Sequence, residues 1–164
     1  MVAVLEGHDV RTEREGSGKR LEARAGARDY FPNRDGRQER WDRLDMAYFL
    51  GYALWNYLTL PALLLRGDIE WRELSPDTLE ARFPPGIPTH CEIQEYDFDP
   101  GNGLLGAYRY TAEVFGSWAR ADHLVDEHSE SGGIPFPSRR RVLARGGGGT
   151  VIELEVHEHR LVEK

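Results

Sequence analysis

Tyr108 and Tyr110 stand two residues apart in an alternating run, and His90 stands in the run just before it. In an extended chain, a spacing of two puts side chains on one face. Phenol and imidazole groups on a shared face suit the polarisation of a carbonyl oxygen while a flexible substrate is held in a reactive shape. His90, Tyr108 and Tyr110 are therefore the candidate catalytic groups. Gln94 and Tyr96 share the even-numbered, apolar face of the run 89–98 with His90, and His123 shares a face with Ala121 and Val125. In Arg139-Arg140-Arg141 alternation puts Arg140 opposite its neighbours; a solvated face is the first reading of the run, and an Arg140 that enters the interior to hold an anionic group is the alternative.

Helical spacing supplies a second set. Stepping about 100° per residue, Asp45, Tyr48, Tyr52 and Trp55 fall on one broad face with Leu44, Phe49 and Asn56. Tyrosine and tryptophan present apolar bodies with polar tips, which suits a wall that touches both core and ligand. Asp45, Tyr48, Tyr52, Trp55, Gln94, Tyr96, His123 and Arg140 are thus candidate substrate-binding residues. Simple core packing, with each hydroxyl bonded to a neighbour, is the competing expectation for every one of them.

Other motifs are weak. No nucleotide-binding glycine pattern and no serine nucleophile elbow occurs. His157 and His159 share a face of the last strand, but Glu153 and Glu155 beside them read as a solvated edge, so no metal site is expected. Cys91 follows His90 directly, and adjacent strand residues point to opposite faces, which prevents a direct thiolate–imidazole pair.

The elements that must position these groups change period along the chain. Residues 1–31 are strand-like, with a turn at 7–9 and a break at Pro32-Asn33-Arg34-Asp35-Gly36. A helical pattern covers 38–60, with Asn33 or Asp35 as its cap and Pro61 as its stop, and a short helical piece follows at 61–65. From residue 68 short runs at 69–74, 78–83, 89–98, 104–114, 119–128, 137–145 and 150–162 alternate between turn signals. Serial strands with short loops imply an antiparallel meander. The helix is apolar on every side, Leu50, Leu54, Tyr57 and Leu58 included, which implies enclosure. The expected fold is α+β: a single curved antiparallel sheet, a half-barrel, wrapped around one long buried helix in one domain spanning 1–164.

Composition sets outer bounds. The 164 residues carry 28 acidic and 21 basic side chains, a net charge of −7, which argues against a phosphate-backbone reader. One cysteine rules out an internal disulfide and a multi-cysteine zinc site. The start of the chain lacks the pattern of a signal peptide, and the apolar stretch 46–65 is broken by Asn56 and Pro61. A cytoplasmic protein without membrane insertion is expected.

The segments WDRLDMAYFLGYALWNYLTLPALLL, FPPGIPTHCEIQEYDFD, GLLGAYRYTAEV and GIPFPSRRRVLAR together resemble an uncharacterised actinobacterial family. That family pairs a W-D-x-L-x-x-A-Y-F-x-G-Y-A-x-W-N-Y-L helix with I-P-T-H, a Y-F-D-x-x-G-L-L turn and a P-x-R-R-R-V strand; the resemblance covers about 41–145. The later half also resembles the lipoprotein-carrier (LolA-like) half-barrels in its aspartate, G-L-L and G-x-x-x-P hairpin pattern. That second resemblance implies a curved sheet holding acyl or other apolar groups. Against those carriers this chain opens at what corresponds to a middle strand and lacks their export signal and lipidation site, so lipoprotein shuttling does not carry over.

These readings converge on a hydrophobic small-molecule pocket protein, foremost a cofactor-free cyclase or isomerase acting on a polyketide- or lipid-like molecule by conformational templating. The alternative is a non-catalytic lipid or hydrophobic-ligand carrier. The implied partner is a hydrophobic small molecule rather than nucleic acid, with room for a homodimer.

Overall fold

The computed structural model describes residues 1–146 and 148–159. Strands β1 (Val2–Glu6), β2 (Asp9–Arg14) and β3 (Lys19–Arg24) form one antiparallel meander. After a 3-10 segment, Ala27–Arg34, and a shorter one, Gln38–Arg40, comes the helix α1 (Arg43–Leu58). The second sheet contains β4 (Glu70–Ser75), β5 (Thr78–Arg82), β6 (Ile93–Phe98), β7 (Leu105–Thr111), β8 (Arg120–Ser131), β9 (Ile134–Ala144) and β10 (Thr150–Glu155), each strand paired with its sequence neighbours. Every pairing is antiparallel, and the seven-stranded sheet is curved and unclosed. The α+β class, with a curved antiparallel sheet and one long helix, holds. Residues 160–162 of the expected last strand lie outside the described residues.

One correction concerns the first segment, which builds its own three-stranded sheet instead of extending a single large one. The helix is consequently held between two sheets. Gly51 marks its approach to β1: a Cβ there would lie 2.4 Å from Cδ1 of Leu5. On the opposite side, Phe49, Tyr52, Asn56 and Tyr57 pack towards the inner face of the seven-stranded sheet.

A second correction concerns enclosure. Leu50 and Leu54 are 46% and 37% exposed, so the helix shows solvent an apolar stripe that sequence alone had placed inside. Two flanking sheets bury two arcs of the helix, and these residues fall in the gap between them. Trp55 is half-buried, with the Arg66 guanidinium 5.7 Å from its ring centre.

The helix also begins later than its apolar pattern. Asp42 caps it: its carboxylate accepts from the backbone N–H groups of Leu44 and Asp45, and Asp45 returns a bond to the Asp42 N–H. This reciprocal box satisfies N–H groups that lack partners at a helix start. It replaces the caps expected at Asn33 and Asp35. Gly36 has another task. Its φ is 67°, and a Cβ there would lie 2.1 Å from the Phe115 carbonyl oxygen, so only glycine lets this loop touch the β7–β8 connection.

Candidate functional site

The segment between β5 and β6 carries His90, and a buried polar net fixes that segment. Asn56 Nδ2 on α1 donates to Thr89 Oγ1 at 3.0 Å, and Gln94 Nε2 donates to the same oxygen at 2.5 Å and to the Cys91 carbonyl at 3.2 Å. Tyr96 completes it by donating to Gln94 Oε1 at 3.2 Å. From outside, Arg28 donates to the carbonyls of Thr89 and His90. Gln94 and Tyr96, expected at a ligand, thus spend their polar tips holding His90 in place.

His90 stacks on Tyr110 with ring centres 3.9 Å apart and planes 11° apart. The hydroxyl of Tyr57 lies 3.0 Å from His90 Nε2 and 3.0 Å from the Tyr110 hydroxyl, so one phenol on the helix joins an imidazole and a second phenol on the sheet. Strand register extends the row: Tyr96 opposes Tyr108, and Tyr108 opposes His123. The His123 ring lies 4.5 Å from both Tyr108 and Tyr57. Val125 opposes Arg140, which is buried and donates to the carbonyls of Tyr57 and Pro137 at 2.9 and 2.6 Å. The inward reading of Arg140 is therefore the one the fold adopts.

Several of these groups are buried yet lack a hydrogen-bond partner: Tyr108 Oη, His90 Nδ1, both ring nitrogens of His123, and Arg140 Nε. Buried polar atoms are ordinarily bonded, so such a concentration is unusual for a filled core. Burial pushes His90 down to about 3 and His123 down to about 2, with Arg28 acting on the first and Arg140 on the second in the same direction. Both imidazoles are neutral at pH 7. Burial likewise holds Tyr108, Tyr110 and Tyr57 above the usual phenol value, leaving them as neutral donors.

An apolar cleft of about 350 Å³ opens beside this row. Phe49 and Tyr57 line it from α1, Tyr110, Ala121, Val142, Ala144 and Ile152 line it from the large sheet, and Gln38, His90, Ala112, Trp118 and Arg120 complete the lining. Small residues at 121 and 144, opposite one another in the β8–β9 register, leave the space that larger side chains would fill. Trp118 is 72% exposed. Volume and lining fall within the range of small-molecule sites, roughly 300–1,000 Å³.

No family model, curated protein or solved structure matches the chain. The site therefore stands on its own geometry.

The other expected residues sit elsewhere. Asp45 is fully buried at the helix start, with Arg24 at 2.5 Å and Arg34 at 2.8 Å on its two oxygens. It serves the ion pair and the cap, and is not brought to the His90 row. Tyr48 is bonded to His8 at 2.6 Å on the side of the three-stranded sheet, and burial pushes its phenol up to about 12. Tyr52 packs edge-on against His90 at 5.1 Å with its hydroxyl unpartnered. Trp55 lies away from the cleft lining. Tyr57, the joining residue, is not among the expected site residues: helical spacing puts it with Leu50, Leu54 and Leu58, on the side away from the Asp45–Tyr48–Tyr52 face. The aromatic spacing Phe49, Tyr52, Tyr57 was the available signal. Cys91 is buried, with its thiol pushed up to about 11, which makes it a poor nucleophile. Among the described residues no group of three potential ligands could hold a metal ion.

Proposed function

We propose that this protein takes a mostly apolar small molecule into the cleft and orients it by an oxygen atom at the Tyr57–His90–Tyr110 end. The observation that carries this reading is the meeting of that apolar cleft with a buried row of neutral hydrogen-bonding groups. Aromatic and aliphatic walls supply affinity, and the polar end sets orientation. A single buried thiol suits a reducing compartment, the cytoplasm, and no described helix is long and apolar enough to cross a membrane.

Any chemistry there is of a limited kind. Neutral phenols can donate a hydrogen bond to a carbonyl oxygen and favour charge developing on it, while the walls hold a flexible chain folded near its reactive conformer. This is the mode of a cofactor-free cyclase or isomerase on a polyketide- or lipid-like substrate. A hydrophobic-ligand carrier is the second reading. It is favoured by His90 titrating near 3, which leaves the imidazole a weak base for proton abstraction. Native mass spectrometry of protein purified from its own host tests both. Chromatography of the released ligand before and after incubation separates the two: an unchanged retention time supports the carrier, conversion to an isomer of equal mass and different retention time supports the enzyme, and bare protein with no uptake of apolar ketones contradicts the pocket.

A further inference from the structure

Resting on that pocket reading, we infer that the inner end of the site takes an anion: the ligand is an apolar monocarboxylate whose head group sits among Arg140, His123 and Tyr108. Arg140 is the one arginine among the described residues that is buried, at 1% exposure, and it has no ion-pair partner among them. By contrast Arg139 and Arg141 on either side are paired with Glu127 and Asp126. Burying an unpaired cation is expensive, and its two carbonyl partners compensate only in part. The Tyr57 carbonyl belongs to the last turn of α1, where a cation is favoured. Its Nε–H still has no acceptor.

The surroundings are donors as well. A neutral His123 offers one N–H, and Tyr108 offers an O–H; neither has a hydrogen-bond partner in the structure. Three unsatisfied donor groups around one positive charge suit an acceptor with two oxygens and one negative charge. Two negative charges, as on a phosphate monoester, would exceed the single cation. Register places the head-group residues next to the cleft: Ala121, Val142 and Ala144 line it, Val142 opposes His123, and Arg140 lies one inward position further along β9. Tyr57 stands between, lining the cleft while its ring meets His123 at 4.5 Å and the Arg140 guanidinium at 5.7 Å. Binding of the head group requires that ring to turn aside.

Calorimetric titration of the full chain with octanoate and with octan-1-ol at pH 7 tests this. Octanoate is expected to bind at least about tenfold more tightly than the alcohol. Arg140→Met should remove the preference and leave alcohol binding intact. Should Arg140→Met fail to fold, Tyr108→Phe serves, and it should weaken octanoate severalfold without affecting the alcohol. Equal binding of the two ligands overturns the anion inference and leaves the pocket standing. Loss of the preference in Arg120→Gln, with Arg140→Met and Tyr108→Phe unaffected, places the head group at the cleft lining by Arg120 and also overturns it. Failure of both ligands to bind rejects the pocket itself.

Discussion

At the scale of single residues, the hydroxyls of neighbouring tyrosines have unequal duties. The Tyr108 hydroxyl has no hydrogen-bond partner, whereas Tyr57 bonds both His90 and Tyr110. Tyr108→Phe should therefore leave stability within about 0.5 kcal/mol, while Tyr57→Phe, which strands buried partners, should cost about 1–3 kcal/mol. Urea denaturation checks both; equal losses would show that the bonding pattern is wrong. The two buried imidazoles also set an acid response. His90 and His123 titrate near 3 and 2 when folded but at the ordinary value near 6.5 when unfolded, so the unfolded chain binds more protons as pH falls. Their effect is absent above that value and destabilises progressively as pH drops from about 6.5, by up to about 1.4 kcal/mol per pH unit for each histidine. The urea midpoint should fall between pH 7 and pH 5, and His123→Leu should flatten that fall. A midpoint flat across that window in the wild type would contradict neutral burial.

At the scale of elements, the ends and faces of α1 separate what the sequence shows from what it hides. Strand alternation was legible from 69 onwards because a sheet with one buried face repeats with period two. Tyr96, Tyr108, Tyr110, His123 and Arg140 all lie inside accordingly, whereas His90, expected on the same strand, is buried on the loop before β6 with Thr89 and Cys91 buried on either side of it. The helix was harder. An apolar helix has no unique outward face, and which arc stays exposed depends on where two sheets land, a long-range fact that local spacing does not carry. Asp45 shows the same limit: a buried carboxylate on an aromatic face looks ligand-directed until Arg24 and Arg34, remote in sequence, arrive to pair with it. Asp45→Ala leaves those buried bonds broken and should cost about 3–5 kcal/mol, whereas Leu54→Ala, at an exposed position, should stay within about 1 kcal/mol. Denaturant midpoints in the reverse order would contradict the orientation of α1.

For the whole molecule, the arrangement is a curved sheet and a small accessory sheet gripping one helix, with the helix supplying Tyr57 and Phe49 to a cleft that the large sheet completes. The central claim is that this cleft admits an apolar molecule bearing an oxygen. Isothermal titration with octan-2-one tests it most directly, run beside Ala112→Phe, which places a ring at a small residue that lines the cleft. The account predicts saturable one-to-one binding with a negative heat-capacity change in the wild type, and loss of that binding in Ala112→Phe at an unchanged melting temperature. No saturable heat in the wild type, or equal binding by the filled variant, would contradict it.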